Sequence, residues 1–130
     1  QSEDFVVSRF IKNASLNKNL YIYGDGKQTR TFCYIDDNIN ACLKCLYENK
    51  YINSTINIGS DKEIKVLELA KKIIKITKSN SKIIHLKPLI EGDMKRRLPD
   101  LTKMKKIIGN KFTTIDKGIL LTFKNLNDEK

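Results

Sequence analysis

The residue types best suited to chemistry gather in a stretch of arginine and aromatic side chains, YIYGDGKQTRTFCYIDD at positions 21–37. Within it, Arg30 lies in an alternating run and shares its parity with two aromatic residues. A guanidinium on a half-buried strand face needs an anionic partner, and its planar fork of donors suits a phosphate or a carboxylate. From the residues alone, a ligand phosphate and an internal carboxylate, Asp36 or Asp37, are equally good partners.

A second basic cluster, DMKRRLPD at positions 93–100, carries Arg96 and Arg97 just before a predicted helix. Loops that rigid elements hold in place are common positions for binding residues. A solvated charged loop also explains the same residues, and it is the simpler interpretation of the cluster taken alone.

Two glycines in the first stretch, Gly24 and Gly26, give the backbone the freedom for a tight turn. A dinucleotide-binding turn requires G-x-G-x-x-G at the start of a helix that follows a strand. Here Thr29 occupies the third glycine position and an extended run follows, so the sequence excludes that type of site. A Gly-Lys-Ser/Thr phosphate-binding ending is also absent. A plain β-hairpin is the alternative for the glycines.

The three cysteines form no disulfide framework, so we expect reduced thiols. Cys42 and Cys45 form a single C-x-x-C, but a structural zinc site needs a second ligand pair, and His85 is the only histidine. No metal site is therefore expected. We predict that Cys42 and Cys45 pack into the core from one apolar face of a helix.

Hydrophobic periodicity predicts short strands that alternate with helices. The predicted helices cover 4–16, 36–48 (begun by a cap at Asp36 or Asp37), 64–77, 99–109 and 113–126, and the predicted strands cover 20–24, 29–35, 54–60 and 81–87. This order predicts an α/β fold, or α+β for the piece taken alone. The sheet is thin and lacks a βαβ start, so the chain resembles the second half of a larger unit.

The chain has 130 residues, which suits a single domain over 1–130, and a net charge of +10. A basic excess can attract nucleic acid, anionic lipid or a phosphorylated ligand, but the lysines are spread along the chain and no nucleic-acid-binding motif occurs. No apolar run approaches the roughly 20 residues that span a bilayer, and no secretory leader pattern occurs. We therefore expect a cytoplasmic protein without nucleic-acid or membrane partners. Because no initiator Met is present, we expect a piece of something longer.

Several segments together resemble the C-terminal half of extended short-chain dehydrogenase/reductases, the NAD-dependent nucleotide-sugar epimerase/dehydratase family. They are VVSRFI (6–11), LYIYGDGKQTRTFCYIDD (20–37), INIG (56–59), LELAKKI (67–73) and RRLPDLTKMKKIIG (96–109). The resemblance is greatest to the UDP-glucuronate decarboxylase branch, and weaker to dTDP-glucose 4,6-dehydratases and UDP-sugar 4-epimerases. It implies the substrate-binding C-terminal part of a Rossmann-type fold, with the N-terminal NAD-binding part absent from this chain.

The resemblance also implies roles for four residues in binding a nucleotide-diphosphate-sugar. Tyr23 would lie along the nucleobase or ribose, and the backbone of Tyr21 would help to read the base edge. Arg30 would hold the diphosphate, and Arg97 would reach the sugar and its carboxylate. Such enzymes oxidise C4 of the sugar with NAD, after which the sugar loses CO2 or water or is reduced again.

Other parts of the family pattern are absent from this chain. It has no glycine-rich NAD loop, and its one Tyr-x-x-x-Lys spacing, Tyr23 to Lys27, spans the glycine turn that the resemblance assigns to substrate binding. We therefore expect no catalytic and no cofactor-binding residue here and an inactive fragment. Leu89 and Ile90 stand where dehydratases and epimerases usually carry an arginine, which favours the decarboxylase branch. The family implies a homodimer for the full-length enzyme. A basic binding module without enzymatic activity is the alternative of another class.

Overall fold

The structure, a computed structural model, describes residues 5–48, 51–89 and 95–128. Within these residues the helices are α1 (Val6–Ser15), α2 (Ile35–Tyr47), α3 (Val66–Thr77), α4 (Thr102–Ile108) and α5 (Ile115–Asp128). The strands are β1 (Leu20–Tyr23), β2 (Thr29–Thr31), β3 (Glu63–Lys65) and β4 (Ile83–Leu86). Short strands therefore alternate with helices, as the sequence predicted.

The strands form two separate two-stranded sheets. β1 pairs in parallel with β4, in a register that runs from Leu20 opposite Ile83 to Tyr23 opposite Leu86. β2 pairs antiparallel with β3, and Arg30 lies opposite Ile64. β1 and β2 are not partners, so the hairpin considered for the two glycines is wrong. The glycine turn instead carries the chain from one sheet to the other.

The main core lies between β1 and the helices α1, α3 and α5. Its members are apolar residues at helical or alternating spacing: Phe10, Ile11, Ala14, Leu20, Ile22, Ile64, Val66, Leu69, Ala70, Ile73 and Ile119. Helix α3 is amphipathic, and its apolar stripe faces this core as the sequence pattern predicted. The core thus fixes β1, whose carboxyl end leads into the glycine turn.

A second, smaller core joins α2 to α4. Ala41 on α2 is fully buried against Leu101 and Met104, and Ile56 and Ile58 pack against the same cluster. The predicted strand over 54–60 does not form. Its alternating isoleucines pack against the cluster that contains Met104 of helix α4, and the segment has no hydrogen-bonded strand partner.

Helix α2 begins one residue earlier than predicted, with Tyr34 at the capping position. Asp36 and Asp37 therefore lie in its first turn, where a carboxylate favours the positive end of the helix dipole, and neither caps the helix. The carboxylate of Asp37 accepts hydrogen bonds from the backbone amide of Thr113 (2.8 Å) and from its hydroxyl (3.1 Å). Asp37 thereby ties α2 to the segment that leads into α5.

Other differences are local. Residues 63–65 form β3 instead of opening a helix at 64. Helix α4 begins at Thr102, whose amide donates to Asp100 Oδ1 at 2.9 Å, and is followed by Gly109, which has a φ of 78°. The prediction for the cysteine pair is wrong for Cys42, which is exposed, and Cys45 is only half-buried. Among the described helices, none has the length and apolar character to cross a membrane.

Candidate functional site

The exposed face of β1 carries two tyrosines. Leu20 and Ile22 point into the core, so Tyr21 and Tyr23 point outward on the other face, 42% and 36% exposed. This alternation places both predicted ligand-contacting tyrosines side by side on one surface.

The conformation of the turn after β1 depends on two glycines and on backbone hydrogen bonds to α3. Gly24 and Gly26 both adopt left-handed conformations, with φ of 71° and 72°, which glycine alone adopts without strain. The carbonyl oxygen of Gly26 accepts from the amide of Leu67, and that of Gln28 accepts from Val66, each at 3.1 Å. The turn therefore caps the amino end of α3, whose first amides would otherwise lack partners.

Side chains also hold the turn. Lys27 donates from its backbone amide to Asp25 Oδ1 (2.9 Å), and its ammonium lies 3.2 Å from Oδ2. The backbone amide of Lys27, followed by its side chain, lowers the pKa of Asp25 below the ordinary value. On the far side, His85 Nδ1 lies 2.8 Å from the carbonyl oxygen of Gly24. The turn is therefore fixed by α3, by β4 and by its own aspartate.

An open cleft of about 540 Å³ lies at the carboxyl ends of β1 and β4. The described residues that line it are Tyr23, Gly24, Asp25, Lys27, Gln28, Pro88, Leu89 and Lys95. It therefore combines an aromatic ring, two apolar side chains and two ammonium groups beside one carboxylate. Such a set suits a ligand with a flat ring and a negative charge.

Arg30 lies on β2, two residues after the cleft-lining Gln28, and is half-buried. Its Nη1 donates to the carbonyl oxygen of Thr29 at 2.7 Å. The amide of Thr29 in turn donates to the carbonyl oxygen of Lys95 at 2.9 Å, so the segment with Lys95 runs along β2. The second basic cluster of the sequence is thus brought against the first.

Arg96 anchors that segment to β3. Its Nε and Nη2 donate to the two carboxylate oxygens of Glu63 at 2.9 and 2.8 Å, a bidentate pair, and Thr29 Oγ1 also donates to Glu63 at 2.8 Å. Arg96, then Thr29, holds the pKa of Glu63 below its ordinary value. Arg96 therefore has a structural role, and the neighbouring Arg97 is exposed.

The structure brings only some of the sequence-predicted residues into one place. Among the described residues, Tyr23 is the one of the four that lines the cleft, while Tyr21, Arg30 and Arg97 lie outside its lining. Sequence reasoning missed Lys27 and Lys95 as lining residues. Lys27 lies within the glycine motif and could have been considered from the sequence. No feature of the sequence indicates that Lys95 lies near that motif. Positions 90–94, with Ile90 and the start of the second cluster, lie outside the described residues.

Comparison of the sequence with known proteins gives related enzymes. Residues 1–59 match the NAD dependent epimerase/dehydratase family. The UDP-N-acetyl-alpha-D-glucosaminuronate decarboxylase of Bacillus cytotoxicus is 40% identical over 107 residues, covering 78% of this chain and 33% of that protein. UDP-glucuronic acid decarboxylase 4 of Arabidopsis thaliana is 38% identical over 104 residues, covering 80% and 23%. The chain thus spans a third or less of the length of these relatives.

Solved structures give the same result for the fold. The UDP-glucuronic acid 4-epimerase from Bacillus cereus, in complex with UDP-glucuronic acid and NAD, superposes with a TM-score of 0.88 at 28% identity. The match covers 100% of this chain and 42% of that one. The UDP-glucose 4-epimerase from Thermotoga maritima, with UDP-glucose, has a TM-score of 0.87 at 27% identity, covering 96% and 40%. The chain therefore belongs to the NAD-dependent epimerase/dehydratase family.

Proposed function

We propose that this chain is the substrate-binding part of an enzyme that modifies a UDP-linked uronic acid. The proposal rests on a class of substrate that is shared by relatives of different activity. Two sequence relatives are named as decarboxylases of UDP-linked uronic acids, and a structural relative is a 4-epimerase with UDP-glucuronic acid bound. The substrate class is common to them although the reactions differ.

For the reaction, we infer decarboxylation of UDP-glucuronate to UDP-xylose. Six of the curated relatives named as UDP-glucuronic acid decarboxylases are 31–38% identical to this chain over most of its length. The specific alternative is 4-epimerisation, because the UDP-glucuronic acid 4-epimerase superposes over the whole chain. Dehydration is a more remote candidate, since the dTDP-glucose 4,6-dehydratase from Bacillus anthracis is 22% identical and supports the fold alone.

Tyr23 in the cleft and three residues outside its lining are the candidates for binding such a substrate. Tyr23 offers a ring face for the base or ribose, and the neighbouring backbone at Tyr21 offers polar groups for a base edge. Arg30 on β2 is the candidate for the diphosphate, whose oxygens match a guanidinium fork. Arg97 is the candidate for the carboxylate of the uronic acid. These roles orient the sugar, and none of them transfers a proton or a hydride.

NAD is the cofactor that we propose for the complete enzyme, in line with the NAD-bound structural relatives. The described residues of this chain do not fit it, because the carbonyl groups of Gly26 and Gln28 occupy the first amides of α3 and the glycine motif is incomplete. NAD would therefore bind outside this chain and supply the hydride chemistry there. We accordingly propose that the chain alone releases no CO2. We also propose that the complete enzyme is a homodimer, as the family resemblance implies.

The first experiment measures UDP binding to the 130-residue chain and to Arg30→Ala by isothermal titration calorimetry. A hydrogen bond to a charged group contributes about 1.5–3 kcal/mol, so we expect binding to weaken by about 10-fold or more. Lys71→Ala is the matched control, because Lys71 is an exposed cation on α3. Equal affinity of the wild-type chain and Arg30→Ala would contradict the role of Arg30.

The second measurement compares UDP-glucuronate with UDP-xylose, which lacks the carboxylate. For Arg97→Ala we expect weaker binding of UDP-glucuronate only, so the ratio of the two affinities should fall. A basic module without enzymatic activity would behave differently. Its binding to nucleic acid would fall steeply with salt, and millimolar UDP would displace nothing.

A further inference from the structure

The charged side chains that line the cleft differ in whether their charge is compensated. The ammonium of Lys27 lies 3.2 Å from Asp25 Oδ2, so this lysine and this aspartate form a neutral pair. Lys95 is exposed, and it has no carboxylate partner among the described residues. Lys95 therefore gives the described part of the cleft lining its net positive charge.

The pairing of Lys95 with Tyr23 in one cleft suits a particular group of a nucleotide. Both residues line the cleft, and Tyr23 is the proposed contact of the base or ribose. The negative group closest to these is the phosphate that is attached to the ribose. A lysine ammonium binds a phosphate as a compact point charge, without the planar geometry that an arginine requires. This phosphate is therefore the group that best matches Lys95.

The chain around Lys95 is held against both strands of the polar sheet. The amide of Thr29 on β2 donates to the carbonyl oxygen of Lys95 at 2.9 Å. The next residue, Arg96, donates through Nε and Nη2 to the two carboxylate oxygens of Glu63 on β3, at 2.9 and 2.8 Å. Thr29 Oγ1 donates to the same carboxylate at 2.8 Å. Glu63 thus joins β2 and β3 to the residue that follows Lys95.

The same segment is fixed again three residues later. A Cβ added to Gly59 would lie 3.1 Å from Pro99 Cγ, so the proline ring packs closely on the glycine. Arg96 is therefore the side-chain contact closest to Lys95, and Pro99 limits how far the segment moves when that contact is lost.

The Arg96–Glu63 pair is better suited to positioning than to stabilising the fold. Its side chains are 66% and 26% exposed, and ion pairs at such exposure contribute little to the free energy of unfolding. Two parallel hydrogen bonds nevertheless fix the relative orientation of the two groups. A neighbouring side chain on a fixed backbone loses less conformational freedom when it binds a ligand, which favours binding.

We propose that Lys95 binds the phosphate attached to the ribose of the nucleotide, and that the Arg96–Glu63 pair positions Lys95 for this contact. The proposal rests on the proposed function, to which it adds a lysine beside the two candidate arginines. Arg96 and Glu63 act through Lys95 and touch no part of the ligand.

The role of Lys95 is tested by NMR titration of the 130-residue chain with UMP and with uridine, which lacks the phosphate. Lys95→Gln should bind UMP about fivefold more weakly, the size of one charge-assisted contact at an exposed site, and should bind uridine as the wild type does. Lys95→Arg should retain most of the UMP affinity, because it keeps the charge. Lys87→Gln is the matched control and should bind UMP normally, since Lys87 is exposed and precedes Pro88 of the lining without belonging to it.

Glu63→Gln tests the positioning role. We expect UMP to bind about two- to threefold more weakly, because Lys95 must then be ordered by the ligand, and uridine to bind unchanged. In a Lys95→Gln background, Glu63→Gln should have no further effect on UMP binding, since Glu63 acts through Lys95. A purely structural role of Glu63 would instead weaken uridine and UMP alike, and its effect would persist in the double variant.

The results that would overturn the proposal differ from those that would overturn the proposed function. Equal UMP affinity of the wild type and Lys95→Gln, or an equal loss in Lys87→Gln, would remove the role of Lys95 even if UDP binding still depended on Arg30. A loss in Glu63→Gln that persists without Lys95 would remove the positioning role. If the wild-type chain bound inorganic phosphate as tightly as UMP, and Lys95→Gln weakened both, the proposed function would fail and an anion site at Lys95 would remain.

Discussion

The two small sheets are stabilised in different ways. The parallel pair β1–β4 buries Leu20 and Ile22 almost completely against the main core. The antiparallel pair β2–β3 has half-buried residues along β2, and polar side chains tie it to its neighbour, with Glu63 bridging Thr29 and Arg96. One sheet depends on apolar burial, and the other on directed hydrogen bonds.

The two sheets also position different parts of the candidate site. The buried sheet fixes the position of the glycine turn and of Tyr23 at the cleft. The polar sheet carries Arg30 and holds the segment with Lys95 beside it through the Thr29 amide. Apolar burial contributes most of a domain's stability, whereas exposed ion pairs contribute little. We therefore expect changes in β1 to unfold the chain and changes around Glu63 to alter the site locally.

The largest effect is expected for Ile22→Ala. Ile22 is 1% exposed, and truncation of a buried isoleucine typically costs about 2–5 kcal/mol, because it removes apolar contacts and leaves a cavity. Urea denaturation of the 130-residue chain measures the free energy of unfolding. Tyr21→Val on the outer face of the same strand is the control, with an expected change within about 0.5 kcal/mol. Similar losses for both variants would refute the one-sided burial of β1.

Next in size is the glycine turn that joins the two sheets. Gly24 and Gly26 have nearly equal positive φ, so an alanine at either costs about 1–2 kcal/mol in strain. At Gly26 the added Cβ would also lie 2.9 Å from Leu67 Cβ and 3.2 Å from Ile22 Cγ2, whereas at Gly24 its nearest neighbour is Pro88 at 3.8 Å. Gly26→Ala should therefore lose about 1–3 kcal/mol more than Gly24→Ala in the same denaturation measurement. Equal losses would mean that the turn moves away from α3 freely.

The helices and strand β1 were easier to predict from the sequence than the pairing of the strands. The helices with a strong apolar stripe were confirmed within about two residues at most ends, and LYIYG gave the strand at 20–23, because local spacing carries those signals. The parallel pairing of β1 with β4 joins residues more than 60 positions apart. No local pattern contains that information, and the hairpin interpretation failed for this reason.

The cleft shows the same limit. Tyr23 and the turn could be identified from a contiguous motif. Lys95 instead reaches the cleft on a segment that is held by the Thr29 amide and by the bond of Arg96 to Glu63. The isoleucines at 56 and 58 were misassigned to a strand, since alternation also arises when an extended segment packs on a helix. Arg96 and Arg97 are adjacent in sequence, and only the structure separates the arginine that binds Glu63 from its exposed neighbour.

The smallest global effect is expected for Glu63→Gln. The substitution removes the charged partner of Arg96, so the segment with Lys95 should loosen while the free energy of unfolding changes little. The readout is hydrogen exchange of the Thr29 amide by NMR, corrected for its intrinsic rate, because this amide donates to Lys95. We expect faster exchange in Glu63→Gln. Glu68→Gln is the matched control, since Glu68 is an exposed acid paired loosely with Lys65 at 3.8 Å.

Acidification provides a second way to open the same contact. Arg96 lowers the pKa of Glu63 in the folded chain below the ordinary 4.5. The stabilisation by this carboxylate is therefore complete above about pH 4.5 and is lost as the pH falls through the lowered folded value. Protection of the Thr29 amide should decline over that window in the wild type and stay flat in Glu63→Gln. If both proteins lost protection in parallel, the polar sheet would depend on something other than Glu63, and the contrast with β1–β4 would fail at this point.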